Sequence, residues 1–348
     1  MQSLSLVGVS GLSFIICLVS SVVYSRNYKL IAIVFSITTM LIVYGYNRLE
    51  TSSVFNDGYN IRIVQPNLIE HHMGDRSKQI LALETLFELT FTNLDRHKAN
   101  IIIWPEAAFP FGYHNLTPWE KILSESIPAN DYLITGIDRY EYGDNKVVKA
   151  YNSIIIFDHN GATKSSYDKV ILVPFGEFVP LRRFLPNFID KVAYGIGDFS
   201  VGKNKSLLKI NDEFAGIIPL ICFESIFSHY IKGFNFKDAG LLLNITNDAW
   251  FGDSIGPYQH LAMARARAVE YGIPMIRVAN NGISAVIDSK GRIINSILLN
   301  TKSIMDIKTP LKVEKSTIYA DYQYLILLFV AILLFILTLV EKVLYSHK

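Results

Sequence analysis

The stretch "IPLICFESIF", residues 218–227, changes from an apolar run to polar residues within a few positions. The apolar part is short and β-branched, which predicts a buried strand. Cys222 and Glu224 stand at its end, where the functional groups of layered α/β proteins usually lie. Cys222 therefore has two interpretations. It is a core residue, as free cysteines often are, or a nucleophile, which needs a lowered pKa or a neighbouring base.

The sequence around this stretch alternates between strand-like and helix-like segments. Apolar residues recur at helical spacing over 80–89, and residues 257–272 predict a helix that ends at Gly272. Turn signals lie at 159–165 and 288–293. The alternation predicts an α/β domain in which helices are layered on sheet. Strands are predicted in the runs "IRIVQPN" (61–67), "IIIWPEA" (101–107), "YLITGID" (132–138), "NSIIIFD" (152–158), "FAGIIPLICF" (214–223), "GLLLNITND" (240–248), "PMIRVAN" (274–280) and "ISAVID" (283–288).

Segments without charged residues lie at 1–25, 30–47 and 322–340. A bilayer core takes about 20 apolar residues in a helix, so all are candidate spans. We place two transmembrane helices within 3–47 and a third at 322–342. The first segment resembles a signal peptide in length, but it lacks a basic start and another apolar segment follows it closely.

Basic residues near the spans predict the orientation of the domain. The short loop between the first two spans contains Arg26 and Lys29, and the C-terminal tail contains Lys342 and Lys348. Short positive loops tend to stay in the cytoplasm. Three spans then place residues 51–320 on the outer face of the membrane.

The composition argues against several classes of function. A net charge of +2 without a Lys/Arg cluster gives no surface suited to nucleic acid. With Cys17 in a predicted span and Cys222 in the domain, we expect no disulfide and a free thiol at Cys222. The sequence has no zinc-type spacing, phosphate-binding glycine loop or G-x-S-x-G motif. We therefore expect neither a metal nor a cofactor.

Other polar residues at the edges of apolar runs complement a thiol chemically. Glu106 follows "IIIWP", Lys169 precedes "VILVP", and Glu177 follows a Pro-Phe-Gly turn. A carboxylate can take the thiol proton and return it, and an ammonium can stabilise a thiolate and a developing oxyanion. Taken alone, each of these charged residues is more often a solvated surface group. A catalytic role for Cys222 therefore requires that they lie close to it in the fold.

Residues 180–206 lack helical or strand periodicity, and a loop of this length is usually functional or mobile. Its apolar and basic residues favour a contact with the membrane interface or a lid over a lipid site, and the alternative is an ordinary surface loop. The side chains in question are Arg182, Arg183, Phe184, Leu185, Phe188 and Ile189.

Four motifs occur in an order and at spacings that resemble the nitrilase superfamily: "WPEAAFP" (104–110), "DKVILVPFGEFVP" (168–180), "ICFES" (221–225) and "TNDAWFG" (246–252). The sequence "LVPFGEFVP" and the position of the domain between apolar spans are similar to the membrane branch, the apolipoprotein N-acyltransferases. The resemblance covers residues 5–345. It implies a nitrilase-like αββα sandwich over residues 59–312, flanked by transmembrane α-helices.

The resemblance also implies roles for individual residues. Glu106 matches the general base, Lys169 the lysine of the triad, and Cys222 the nucleophile. Glu177 matches a second essential glutamate, and Glu224 the acidic residue two positions after the nucleophile.

The chain departs from the family pattern in three places. The predicted spans correspond to the last ones of the family, so the first five helices are expected to be missing. Phe223 stands where a tyrosine usually follows the nucleophile, which keeps the ring and loses the hydroxyl. A tryptophan common in the family is absent from the loop "HHMGD" (71–75). These differences affect substrate binding more than bond chemistry.

The resemblance implies transfer of an acyl chain from a phospholipid, through a Cys222 thioester, to the N-terminal diacylglyceryl-cysteine of an apolipoprotein. It further implies a multi-pass monomer in the bacterial inner membrane with its catalytic domain on the periplasmic side. Two alternatives stay open: a membrane-tethered amidase with the same triad, and a truncated, non-catalytic remnant that binds lipid or a partner.

Overall fold

The structure is a computed structural model, and it describes residues 1–68, 75–113, 119–144, 146–184, 197–313 and 315–323, together with Leu325, Leu328 and Ile332. Its helices are α1 (Leu4–Tyr24), α2 (Tyr28–Glu50), α3 (Arg76–Phe91), α4 (Trp119–Ser126), α5 (Ser228–Ile231) and α6 (Gly256–Tyr271). Its strands are β1 (Phe55–Gln65), β2 (Asn100–Ile103), β3 (Phe109–Tyr113), β4 (Tyr132–Gly143), β5 (Lys146–Asp158), β6 (Thr163–Asp168), β7 (Gly216–Ile221), β8 (Ala239–Thr246), β9 (Met275–Ala279), β10 (Ser284–Ile287), β11 (Ile293–Ile297) and β12 (Ser303–Pro310). Short 3₁₀ helices cover Arg182–Phe184, Cys222–Ile226 and Ala249–Phe251.

The strands form two sheets. The first has the order β12-β1-β2-β4-β5-β6, with β3 also paired to β4, and the second has the order β11-β10-β9-β8-β7. Three neighbouring strands of each sheet are parallel: β1, β2 and β4 in the first sheet, and β7, β8 and β9 in the second. Parallel strands end at the same edge of a sheet, so the segments that follow them lie close together.

The main core lies between the two sheets. Successive side chains of a strand point to opposite faces, so Ile61 and Ile63 of β1 face the second sheet, whereas Val64 packs with the outer helices. Leu86 of α3 belongs to the outer core of the first sheet, and Ala264 of α6 packs against the second. Helix, two sheets and helix form an αββα sandwich, so the predicted fold class is confirmed.

Each predicted strand run contains an observed strand, and α6 ends where Gly272 adopts a φ of 65°. The strands β3, β6, β11 and β12 are not among the predicted runs. In each of the edge strands β6 and β11 only one side chain is buried, so these strands carry little hydrophobic pattern. The apolar run after Lys169 forms no strand. Its N–H groups at Val170 and Ile171 instead donate to the Glu224 carboxylate, at 2.8 and 3.1 Å.

Helices α1 and α2 are each long and apolar enough to cross a membrane. The start of α1 is kinked at Gly8, where φ is 66°. Beyond the kink, the N–H of Val9 donates to Glu270 Oε1 of α6 at 2.9 Å. A side chain at Gly8 would overlap the ring of Tyr319. The kinked end of α1 is therefore docked on the αββα domain by a hydrogen bond and close packing.

Several predictions concern residues outside the part of the chain that the structure describes. They include most of the third predicted span, the C-terminal tail, and residues 71–74 of the "HHMGD" loop. Leu185, Phe188 and Ile189 of the 180–206 loop belong to the same group.

Candidate active site

Strand ends deliver the candidate residues to one point. Glu106 follows β2 after a Trp-Pro pair, Lys169 directly follows β6, and Cys222 directly follows β7. The first two come from the seven-stranded sheet and Cys222 from the five-stranded sheet, so the site lies where the sheets meet. All three line the same cavity, together with Glu177.

Lys169 is the electrostatic centre of the site and is only 1% exposed. Its Nζ lies 2.9 Å from Glu177 Oε1 and 3.4 Å from Glu106 Oε1. Burial alone would lower the pKa of Lys169, but Glu106 and Glu177 outweigh burial and raise it above its usual value. The lysine is therefore a fixed positive charge at neutral pH.

Further donors fix the two carboxylates. Asn152 Nδ2 donates to Oε1 of both Glu106 and Glu177, at 2.8 and 3.0 Å. The second oxygen of Glu106 accepts the N–H of Asn247 at 2.8 Å, and that of Glu177 accepts the N–H of Val173 at 2.8 Å. Two neighbouring carboxylates repel each other unless positive charge and hydrogen bonds offset the repulsion. The shared lysine and the amide donors do so here.

Cys222 is a protonated thiol in this environment. Burial raises its pKa and the charge of Glu106 raises it further, while Lys169 and a hydrogen bond with Thr246 act in the opposite direction. The net shift is upward, so the free thiolate is scarce at neutral pH. For such a thiol to act as a nucleophile, a base must remove its proton as the reaction proceeds. Of the two carboxylates at Lys169, Glu106 is the one whose charge raises the pKa of this thiol, and Asp248 contributes in the same direction.

Glu224 has a structural position. It is fully buried, and its carboxylate accepts the Tyr167 hydroxyl at 2.7 Å and the N–H of Ile221 at 2.8 Å. It also accepts the N–H groups of the loop that follows Lys169. Burial raises the pKa of Glu224, and these hydrogen bonds oppose the shift. Glu224 thus joins the loop after Lys169 to the end of β7.

Phe223 borders the cavity and meets the ring of Phe227 edge-on, with ring centroids 5.0 Å apart. The cavity has a volume of about 970 Å³ and a mostly apolar wall. At its mouth, Phe175, Trp250 and Phe251 are each about half exposed. An apolar chamber with a few polar groups at one point is typical of a site for a large apolar ligand.

The 180–206 loop is described only in part. Phe184 is 68% exposed, as expected of an apolar tip. Arg182, one of the basic residues of this loop, forms a two-pronged ion pair with Asp198 at 2.7 and 2.8 Å. That pair joins the two ends of the loop.

Asn152, Thr246 and Asn247 were not predicted as site residues. Asn152 lies in the middle of β5 among buried residues, and a polar residue inside an apolar run is the pattern that could have indicated it. Thr246 and Asn247 stand at the end of β8 and show the same apolar-to-polar change as Cys222.

Sequence comparisons place the chain among known proteins. The family described as carbon-nitrogen hydrolase matches residues 60–319. The chain is 35% identical to the apolipoprotein N-acyltransferase of Rickettsia typhi over 92% of its length, and it spans 65% of that relative. It is also 35% identical to the apolipoprotein N-acyltransferase of Rickettsia prowazekii, covering 97% of this chain and 69% of the relative.

Solved structures share the fold at lower identity. A carbon-nitrogen hydrolase from Helicobacter pylori G27 has a TM-score of 0.51 at 13% identity, covering 72% of this chain and 89% of its own. Nit3 of Saccharomyces cerevisiae, a nitrilase superfamily member, has a TM-score of 0.51 at 17% identity. The match covers 79% of this chain and 97% of Nit3. These similarities concern the fold alone. The chain belongs to the carbon-nitrogen hydrolase family and, within it, to the apolipoprotein N-acyltransferases.

Proposed function

We propose that the chain transfers an acyl group from a phospholipid to the α-amino group of an apolipoprotein's N-terminal diacylglyceryl-cysteine, through a thioester at Cys222. One observation carries this proposal. A protonated thiol, a buried ammonium and two carboxylates converge at one point of a large apolar cavity. The chain spans 65% of the length of the Rickettsia typhi relative.

The first half-reaction forms the thioester. Glu106 takes the Cys222 proton while Sγ attacks the carbonyl carbon of the phospholipid ester. The C–S bond forms as the carbonyl π electrons move to oxygen, and the charged Lys169 stabilises this oxyanion. The tetrahedral intermediate then collapses, the ester C–O bond breaks, and the protonated Glu106 returns its proton to the departing lysophospholipid oxygen.

The second half-reaction uses the same groups in reverse. The amine of the acceptor attacks the thioester carbonyl, and Lys169 again stabilises the oxyanion. Glu106 accepts a proton from the attacking nitrogen and delivers one to the departing sulfur, which regenerates the Cys222 thiol. The products are an amide and the free enzyme, so no co-reactant is required.

We further propose that the chain acts as a monomer in the bacterial inner membrane, with its catalytic domain, residues 59–312, on the periplasmic side. Membrane-spanning segments would lie within 3–47 and at 322–342. The apolar helices α1 and α2 and the docking of α1 on the domain support this arrangement. Arg26 lies between the two helices and Lys29 in the first turn of α2, and these basic residues favour a cytoplasmic location of the connection.

A direct assay tests the proposed reaction. The full chain in vesicles of mixed bacterial phospholipids is given a synthetic peptide with an N-terminal diacylglyceryl-cysteine. Mass spectrometry is expected to show a peptide heavier by one acyl chain on its α-amine, with lysophospholipid as the second product. Release of free fatty acid with an unchanged peptide, or hydrolysis of small soluble amides instead, would contradict the proposal.

The exposed aromatic residues at the cavity mouth are expected to bind the lipid. Each such side chain contributes about 1.5–3 kcal/mol when buried, and about 1.4 kcal/mol corresponds to a tenfold change in affinity. Replacing Phe175 and Trp250 together by serine should therefore raise the KM for phospholipid at least about tenfold. Alkylation of Cys222 by a small soluble reagent should be unchanged.

Leu298 provides a matched control for that double variant. It is 72% exposed but does not line the cavity, so Leu298→Ser should leave the phospholipid KM unchanged. Thermal unfolding in detergent is recorded for every variant. An unchanged KM in the Phe175→Ser/Trp250→Ser variant, or an equal increase for Leu298→Ser, would show that the rim does not bind lipid.

A further inference from the structure

The backbone of the nucleophile is strained. Cys222 has a φ of 47°, in the left-handed region that residues other than glycine rarely occupy. Such a conformation persists only where its surroundings hold it in place. Two side chains bind the carbonyl oxygen of Cys222: Ser225 Oγ donates to it at 2.9 Å, and His260 Nε2 lies 3.1 Å from it.

The proton position on His260 follows from these partners. A carbonyl oxygen can only accept, so in the bond to Cys222 the hydrogen is on Nε2, which also lies 3.2 Å from Ser225 Oγ. The other nitrogen, Nδ1, lies 2.9 Å from Asp248 Oδ1 and 3.1 Å from Arg277 Nη2. Both ring nitrogens are thus engaged away from the Cys222 sulfur, which argues against His260 as the base that takes the thiol proton.

A buried ion pair fixes the imidazole. Asp248 Oδ2 accepts Arg277 Nη2 at 2.7 Å, and both side chains are fully buried. Burial alone would raise the pKa of Asp248, but Arg277 and His260 lower it to about 2, so the carboxylate is charged. Ion pairs of this kind hold a histidine in one orientation, as carboxylates do for metal-bound histidines.

Asp248 is also connected to the Cys222 sulfur, through Thr246. Thr246 Oγ1 donates to Asp248 Oδ1 at 3.0 Å, and Thr246 also hydrogen-bonds the Cys222 thiol. The hydrogen bond with Thr246 lowers the pKa of the Cys222 thiol, because it favours the thiolate. Asp248 is therefore linked both to the carbonyl of Cys222, through His260, and to its side chain, through Thr246.

We propose that His260 is a positioning residue for the nucleophile: held by the Asp248–Arg277 ion pair, it donates to the Cys222 carbonyl and keeps the thiol at the angle from which it attacks. This inference rests on the proposed function and deepens it, because it assigns a role in forming the thioester to a residue that touches the backbone of Cys222 and not its sulfur.

The test compares four single substitutions in a Cys17→Ser background, which leaves Cys222 as the only thiol. His260→Leu removes the donor, and His260→Gln replaces it with an amide N–H of similar reach. Ser225→Ala removes the other donor to the same carbonyl. His229→Leu is the matched control, since His229 is exposed, lies a few residues from the nucleophile and does not contact its backbone.

For each variant we measure the rate of Cys222 alkylation by iodoacetamide, kcat and KM for acyl transfer, and thermal unfolding.

Misplacing a reacting group by about 1 Å costs on the order of 10²-fold in rate. His260→Leu should therefore lower kcat by about 10²-fold with KM nearly constant, and it should slow alkylation in parallel. His260→Gln should recover most of both rates, which a purely structural role would not require. Ser225→Ala should slow both by a smaller factor, and His229→Leu should have no effect.

A folded His260→Leu variant with parental alkylation and kcat would overturn the inference. If His260→Leu does not fold, Ser225→Ala and His260→Gln are compared with the parent. Parental alkylation and kcat in Ser225→Ala together with a large loss of both in His260→Gln would also overturn the inference. Failure of the proposed function is distinguishable. In that case even the parent transfers no acyl chain, while the alkylation series still reports on positioning.

Discussion

Cys222→Ala is expected to abolish acyl transfer, with a loss on the order of 10⁶-fold, the scale for deletion of a catalytic nucleophile. The reason is covalent: without Sγ no thioester forms, and the carboxylates and Lys169 have no acyl group on which to act. Cys222→Ser should be nearly as inactive, because Glu106 would have to deprotonate an alcohol that is far less acidic than a thiol. The measurement is mass spectrometry of the intact chain after incubation with phospholipid vesicles, which should show one acyl adduct on the parent and none on either variant.

Cys17 supplies the control for that experiment. It is exposed on the predicted membrane helix α1, far along the chain from the cavity. Cys17→Ser should keep both the adduct and the transferred product. An acyl adduct that maps to the Cys17 peptide, or product formed by Cys222→Ala, would show that the thioester assignment is wrong.

Much of the fold and the meeting of the main residues could be predicted from apolar runs that turn polar. Such a run marks a buried strand, and the residue after it lies at the carboxyl edge of a sheet. Glu106 and Cys222 follow this rule directly, because β2 and β7 are fully buried strands of four and six residues. Periodicity also identified α6 and its end at Gly272.

Lys169 shows where the pattern misleads. The residue stands beside a strong apolar run, but its own strand is β6, a polar edge strand with little hydrophobic pattern. The apolar run is held instead by the Glu224 carboxylate from a distant part of the chain. A backbone segment that bonds to a side chain rather than to a neighbouring strand has no local sequence signal.

The supporting residues were unpredictable for a related reason. Asn152 bridges Glu106 and Glu177, which lie 46 and 25 positions away along the chain. His260 reaches the Cys222 carbonyl from a helix 38 positions later. Both are buried polar residues, Asn152 in an apolar part of β5 and His260 on α6, and a single sequence explains them equally well as core polar groups with satisfied hydrogen bonds. Their partners become apparent only when the two sheets are packed together.

The two carboxylates at Lys169 differ in their surroundings: Glu177 lies 2.9 Å from Lys169 Nζ and Glu106 lies 3.4 Å from it. The charge of Glu106 raises the pKa of the Cys222 thiol, so it acts at the sulfur. Glu177 faces Lys169, Asn152 and the N–H of Val173. A base must reach the proton that it removes. Glu106 is therefore the candidate base, and Glu177 holds the lysine in place.

Glu106→Gln should consequently slow thioester formation by about 10²–10⁴-fold, the usual contribution of a general base. The same variant should also change the acidity of the Cys222 thiol, and this change favours the thiolate. Removing the negative charge lowers the pKa of Cys222, so the variant's thiolate should appear at lower pH than the parent's. A thiolate that forms more readily but transfers acyl groups more slowly is expected because the leaving oxygen still requires the proton that Glu106 would deliver.

Glu177→Gln and Lys169→Met complete the comparison. Glu177→Gln keeps the base and should slow thioester formation less than Glu106→Gln does. Lys169→Met removes the charge that stabilises the oxyanion and should cost about 10²–10³-fold. The rates come from single-turnover mass spectrometry and the thiolate pH profile from alkylation, with thermal unfolding recorded to exclude misfolded variants. If Glu177→Gln loses more than Glu106→Gln and its alkylation profile is the one that moves to lower pH, the two glutamates must exchange roles. If Glu106→Gln forms the thioester at the parental rate, the general-base assignment is wrong.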